Sequence, residues 1–212
     1  MRRIGLMGGS FNPAHGGHRH VALQALRALA LDEVWWLVSP GNPLKEASGD
    51  MAPYAARVAS ARAMARLAPI RVSTIEARLK TRYTVDLLKR LPGLYPKRRF
   101  IWIMGADNLA GFHHWKGWRD IASSVPIAVV ARPGYDGDAL ASPAMGWLRR
   151  GVRPAGQARR WDEWRLPALV LLRFRPDRRS ATRIRAADPA WHRRFMSDRR
   201  SLSPVARSQE QH

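Results

Sequence analysis

The stretch Gly8-Gly9-Ser10-Phe11-Asn12-Pro13-Ala14-His15-Gly16-Gly17-His18, directly behind the apolar run Ile4-Gly5-Leu6-Met7, constrains this chain more than any other. Gly8 and Gly9 have no Cβ, so backbone at the end of a strand can turn sharply there and come close to a ligand. Val21, Leu23, Leu26, Ala28 and Leu29 then supply one apolar face, which predicts a helix from about Gly16 to Leu29. The first N–H groups of such a helix have no intrahelical partner and attract anions. His15 and His18 stand at its entrance, where both imidazoles can turn toward one anion, donating hydrogen bonds and, if protonated, positive charge. A metal reading of H-x-x-H is weaker, because no further ligands cluster nearby and a phosphate also explains the glycines.

Composition narrows what kind of protein can carry such a loop. A length of 212 residues with 46% hydrophobic content suits a single domain with a full core. The absence of cysteine excludes a disulfide scaffold, a thiolate metal site and a thiol nucleophile. No apolar run reaches the roughly eighteen residues of a membrane span, and Met1-Arg2-Arg3 leads straight into the first strand without a signal-peptide core. No membrane partner and a cytoplasmic location are the expectations. The formal net charge of +21 attracts polyanions of any kind. Much of it lies in arginine pairs of the last third, Arg149-Arg150, Arg159-Arg160, Arg178-Arg179, Arg193-Arg194 and Arg199-Arg200.

Short apolar runs alternate with helical patterns. Strands are predicted near Arg3–Met7, Val34–Val38, Ile70–Ser73, Phe100–Met104, Ile127–Ala131 and Ala168–Leu172, and helices near Pro53–Leu67, Thr84–Leu91, Trp115–Ser123 and Asp138–Leu148, with a last one from Ser180. Repeated βα units predict an α/β fold with a doubly wound, mostly parallel, Rossmann-like sheet, whose ligands bind beyond the carboxyl ends of the strands. The Gly8-Gly9 loop lies at such an end. The organisation expected is one domain over 1–200 with a surface insertion near 134–165, and a disordered polar tail over 201–212.

A second constellation is Ser180-Ala181-Thr182-Arg183-Ile184-Arg185, after a strand and a basic loop. Its hydroxyls can cap a new helix while the free N–H groups and Arg185 face a phosphate chain. At the first loop the chain resembles the nucleotidyltransferase superfamily of the G-G-x-F-D-P-x-H-x-G-H type, with Asn12 where that pattern has Asp. Ser180–Arg185 matches the superfamily's S-x-T-x-I-R signature. Tyr83-Thr84-Val85-Asp86-Leu87, Met104-Gly105-Ala106-Asp107 and the stretch holding Trp115, Trp118 and Ile121 are similar to the nicotinate-nucleotide adenylyltransferases of NAD synthesis. The resemblance runs from residue 1 to about 186.

That resemblance implies ATP and nicotinate mononucleotide as partners, with magnesium carried by the ATP phosphates. It implies His15, His18 and Arg185 as catalytic residues. ATP would be bound by these together with Gly8, Gly9, Ser10, Phe11, Gly105, Asp107, Ser180 and Thr182. Lys45, Tyr83, Thr84, Trp115 and Arg132 would bind the mononucleotide. Read from the residues themselves, Trp115 could stack on a flat ring, whereas Trp118 and Ile121 face the core. A helix beginning at Tyr83-Thr84 would offer N–H groups to a carboxylate. Asp107 could hold a ribose hydroxyl or a hydrated magnesium ion, or simply cap a helix. Lys45 could meet a phosphate from its Pro/Gly loop, or stay solvated. The alternatives are a superfamily relative with a phosphopantetheine-type acceptor, against which the Tyr83-Thr84 and Trp115 segments argue, and a basic RNA-binding protein. No RRM, KH or helix-turn-helix signature supports the second, so no specific nucleic acid is expected. A homo-oligomer is compatible with the sequence.

Overall fold

The fold is set by β-branched and aromatic runs too apolar to face water on either side. Val34, Trp35, Trp36, Leu37 and Val38 are all almost wholly buried, as are Ile101, Trp102, Ile103 and Met104. Strands buried on both faces belong inside a parallel sheet covered by helices. The computed structural model describes residues 1–41, 51–131, 134, 136–175, 177 and 179–196. Its seven strands, β1 (Arg2–Gly9), β2 (Glu33–Val38), β3 (Ile70–Ser73), β4 (Arg98–Gly105), β5 (Ile127–Val130), β6 (Val152–Arg153) and β7 (Leu169–Leu172), lie in the order β3-β2-β1-β4-β5-β7-β6. Every pairing is parallel. The winding reverses between β1 and β4, and sheets of this kind bind ligands beyond the carboxyl ends of the strands at that reversal.

Ten helices connect the strands among the described residues: α1 (Gly16–Ala28), α2 (Tyr54–Ala65), α3 (Ile75–Arg78), α4 (Thr84–Leu94), α5 (Ala106–Ala110), α6 (Trp118–Ser124), α7 (Asp136–Ala141), α8 (Pro143–Leu148), α9 (Ala181–Ala187) and α10 (Arg193–Met196). Alternation along β1 divides the core. Ile4 and Leu6 join Trp35, Trp102 and the apolar faces of α4 to α6 on one side, while the other side gathers Trp36, Ile101 and Ile103 with α1 and α2.

Three differences from the sequence expectation have local causes. β1 continues through Gly9, two residues beyond the expected end, and the chain turns at Phe11, whose φ of 47° is left-handed. The helix predicted from Trp115 begins at Trp118, because Gly117 is left-handed (φ 63°) and a Cβ there would stand 3.1 Å from Val85 Cγ2. The helix predicted over Asp138–Leu148 is two helices. Pro143 pushes Ser142 into extended backbone (ψ 150°), and the Ser142 hydroxyl accepts the Met145 N–H at 3.2 Å to start α8.

The segment between β5 and β7 also reaches the core. β6 extends the sheet beside β7, Leu148 is fully buried, and the Trp161 indole N–H donates to the Leu29 carbonyl at 3.0 Å. Residues 201–212 lie outside the described residues.

Candidate active site

His15 caps α1, and the two histidines complete the cap between them. The Gly17 N–H donates to His15 Nδ1 at 3.1 Å, and the His15 N–H donates to His18 Nδ1 at 3.2 Å. The rings lie 3.9 Å apart between centroids. With both Nδ1 atoms accepting in this cap, Nε2 is the ring nitrogen that carries the proton in this arrangement. The pair stands at the positive end of a helix, as the sequence expectation placed it.

The loop before α1 is held from several sides. Phe11 is 1% exposed, its ring stacked on Trp36 at 5.0 Å and set against His18 at the same distance. That packing offsets the roughly 1–2 kcal/mol cost of a left-handed non-glycine residue. Phe11 thus shapes the loop from within and presents no open ring face for a base. The Asn12 amide oxygen accepts the Ala52 N–H at 3.1 Å, so the residue that replaces the pattern's Asp ties the loop to the start of α2. Gly8 faces the opposite side, where a Cβ would come 2.8 Å from the Trp102 ring.

The second motif closes on the first. Ser180 caps α9, its hydroxyl accepting the Arg183 N–H at 3.2 Å. One turn on, Arg185 Nη1 donates to the Asn12 carbonyl at 2.8 Å, a contact between residues 173 positions apart. Thr182 stands exposed in the first turn of α9. Gly105 caps α5 with the Asp107 carboxylate folded over it, at the carboxyl end of β4.

On the other face, Tyr83 occupies the N-cap of α4 without a side-chain cap, and Lys116 Nζ stands 4.3 Å above its ring. Trp115 follows a short 3-10 turn, half-buried, with its ring edge-on to Phe112 at 5.4 Å and to Trp102 at 6.3 Å. Trp115 thus links Phe112 to Trp102, whose ring lies against Gly8, while Tyr83 packs on the same apolar core from the start of α4. Trp118 packs on Phe112 and Trp147, and Ile121 is fully buried, as their spacing predicted. Lys45 and Arg132 lie outside the described residues.

Sequence reasoning missed Arg57. It is 1% exposed, and its guanidinium donates to four carbonyls: Ala52 at 3.0 Å, Ser10 at 2.8 Å, Ser39 at 2.7 Å and Pro40 at 3.0 Å. Burial pulls its pKa below the ordinary value. A lone arginine among alanines looks like a solvated helix face, and nothing in its spacing tells otherwise. Glu76, at the start of α3 beyond β3, was also missed, and burial pushes its carboxyl up to about 7. Burial, then the nearby Glu76, raises the Tyr54 phenol, which donates to the Val38 carbonyl at 3.2 Å.

Comparison with known proteins extends this picture. A family model described as cytidylyltransferase-like matches residues 6–187. A protein of Erythrobacter litoralis named "Probable nicotinate-nucleotide adenylyltransferase" is 66% identical over 195 residues, covering 92% of this chain and 89% of its own. One of the same name from Parvibaculum lavamentivorans is 54% identical, covering 86% and 90%. Among solved structures, a Plasmodium falciparum nicotinic acid mononucleotide adenylyltransferase complexed with NaAD superposes with a TM-score of 0.65 at 15% identity, over 88% of this chain and 83% of that one. It shares the fold.

Arg57→Leu should leave four loop carbonyls without their donor and lower stability by about 3 kcal/mol or more, read from urea denaturation. A loss under about 1 kcal/mol would mean that the loops hold themselves. Glu76 makes stability depend on pH. Its folded-state value near 7 exceeds the ordinary 4.5, so the folded protein holds the proton more tightly and loses stability as pH rises between those values. Glu76→Gln should therefore be the more stable protein at pH 8, by on the order of 1–3 kcal/mol, with the gap closing toward pH 4.5. Identical urea midpoints for the two proteins at pH 8 would refute this.

Proposed function

Since the chain belongs to the nicotinate-nucleotide adenylyltransferases of the cytidylyltransferase-like family, we propose that the crevice between β1 and β4 transfers AMP from ATP to nicotinate mononucleotide, giving nicotinate adenine dinucleotide and pyrophosphate. The observation that carries this reading is the bond from Arg185 to the Asn12 carbonyl. It brings the two phosphate-type motifs to one place at the end of β1.

The nucleophile is an oxygen of the mononucleotide phosphate, ionised at neutral pH, so the reaction needs no serine, cysteine or strong base. That oxygen forms a bond to the α-phosphorus of ATP as the bond from this phosphorus to the bridging oxygen of pyrophosphate breaks. Catalysis is then positioning and charge stabilisation. His15 and His18 donate from Nε2 to the triphosphate, and the N–H groups at the start of α1 add their dipoles. Gly8, Gly9 and Ser10 present backbone to the nucleotide. Ser180, Thr182 and Arg185 close the far side on the phosphates, and Gly105 and Asp107 meet the ribose from the end of β4.

Magnesium, when bound with ATP, neutralises charge on the phosphates. As a hydrated ion it would be carried mainly by the triphosphate, with the Asp107 carboxylate, at the carboxyl end of β4, as the side chain the resemblance puts nearest to it.

The acceptor ring would lie by the half-buried Trp115 and by Tyr83, and its carboxylate suits the start of α4, which has no side-chain cap. Nicotinamide would set its own donor against these donors. Lys45 and Arg132, carried by family resemblance, would add phosphate contacts. No helix among the described residues is long and apolar enough to cross a membrane.

Pyrophosphate release with ATP and magnesium should be strongest with nicotinate mononucleotide, at least about 10-fold above nicotinamide mononucleotide, and absent with phosphopantetheine. Release with none of the three would overturn the assignment. His18→Ala should lower turnover by on the order of 100-fold or more, since it removes a donor to the charge that develops on pyrophosphate. Near-normal turnover would remove His18 from that role.

A further inference from the structure

Arg179 is placed where a cation should be unwelcome. Its guanidinium lies on the backbone at the first residue of α1, so close that a Cβ on Gly16 would collide with it, and its own carbonyl is 3.1 Å from where a Cβ of Gly17 would stand. The start of a 13-residue helix carries partial positive charge, and a cation there is repelled. Arg185 and the buried Arg57 add positive charge to the same loop, through Asn12 and Ser10. Asp177 offsets part of this. Its carboxylate accepts from Arg179 Nε at 2.9 Å and from Nη2 at 2.5 Å, and also takes the Arg179 backbone N–H at 2.9 Å. These bonds draw the Asp177 carboxyl far below the usual carboxylate range.

The grip is one-sided. Asp177 holds the Nε–Nη2 edge, and the guanidinium lies flat over Gly16 with Nη1, which Asp177 does not hold, nearest to it. A planar guanidinium fixed along one edge presents the other in a set direction, which is how arginine is pre-organised for a phosphate. Nothing in the S-x-T-x-I-R pattern assigns a role to the residue before its serine. Gly16 now has one: it is the position over which this side chain can lie.

We propose that Arg179 is a further binding residue for the triphosphate of ATP, offering Nη1 to the two outer phosphates that leave as pyrophosphate, with Asp177 as its positioning residue. This rests on the reading of α1 as the polyphosphate site. It places the cation at the end of ATP that departs, so Arg179 acts on ATP and pyrophosphate and leaves the acceptor alone.

The test is calorimetric titration of the full chain with magnesium pyrophosphate and, separately, with ATP, in the absence of acceptor. Arg179→Ala should weaken both by about 10-fold or more, with Arg179→Lys recovering part of the loss, because a charge-assisted phosphate hydrogen bond disappears. In turnover, KM for ATP should rise while KM for nicotinate mononucleotide stays within about twofold. The side chain is largely exposed, so the unliganded melting temperature should not move. Arg179→Ala binding both ligands as the wild type does would overturn the proposal. A wild type that binds pyrophosphate but transfers to no acceptor would instead defeat the acceptor assignment, with Arg179 still tested.

Discussion

A single buried guanidinium organises the ligand-binding end of this molecule. Arg57 donates to Ser10 after β1, to Ser39 and Pro40 after β2, and to Ala52 at the entry of α2. Loops beyond parallel strands leave carbonyls with no sheet partner, and burying them costs roughly 1–3 kcal/mol each unless a donor arrives. Arg57 supplies that donor to three chain segments at once. The ordinary way to bury a charge is beside an opposite one, yet among the described residues the partners of Arg57 are neutral carbonyls and the Tyr54 ring at 5.3 Å. The positive field that results falls beneath the loop that is proposed to meet the phosphates.

The rest of the site follows from where that loop is fixed. With Ser10 anchored, Phe11 turns inward through its left-handed backbone, Asn12 reaches Ala52 with its side chain and Arg185 with its carbonyl, and His15 starts α1. Gly8 meanwhile leaves room for Trp102, which meets Trp115 edge-on in the core that Tyr83 also packs against. Polar holding thus governs the phosphate side, and close aromatic packing governs the side suited to a flat ring. The two meet at β1, where the sheet order reverses.

Periodicity exposed much of this fold before any coordinates, because each central strand is apolar on both faces and each helix repeats with its own period. The six predicted strands all exist, and β6, only two residues long at the sheet edge, has no pattern to detect. Helix starts were less legible. The Trp115 segment has helical spacing, but Gly117 pressed against Val85 delays the helix, and that contact is tertiary. In the site, the histidine cap was legible as a position but not as a tautomer, since the protonation state depends on which N–H groups reach Nδ1. Arg57 and Arg179 were illegible for a related reason. An arginine's identity says nothing of whether its head lies in solvent, under four carbonyls, or over a distant helix.

That last point bears on the formal charge of +21. Read as a total, it predicts attraction to any polyanion, and RNA as readily as a nucleotide. The structure divides it. Arg71 and Arg98 stack on Trp35, Arg119 on Trp118 and Arg3 on Trp161, so these side chains cover aromatic edges of the core with their stems and guanidinium planes. Others pair along the surface, as Arg160 does with Glu163 and Arg194 with Asp188, where screening leaves little net energy. Arg57, Arg179 and Arg185 differ in kind, because each is oriented by bonds to backbone or carboxylate around the start of α1. On the proposed reading, selectivity for a phosphate chain would come from a few directed cations beside a helix dipole, and the remaining charge would set only how strongly the surface attracts anions in passing.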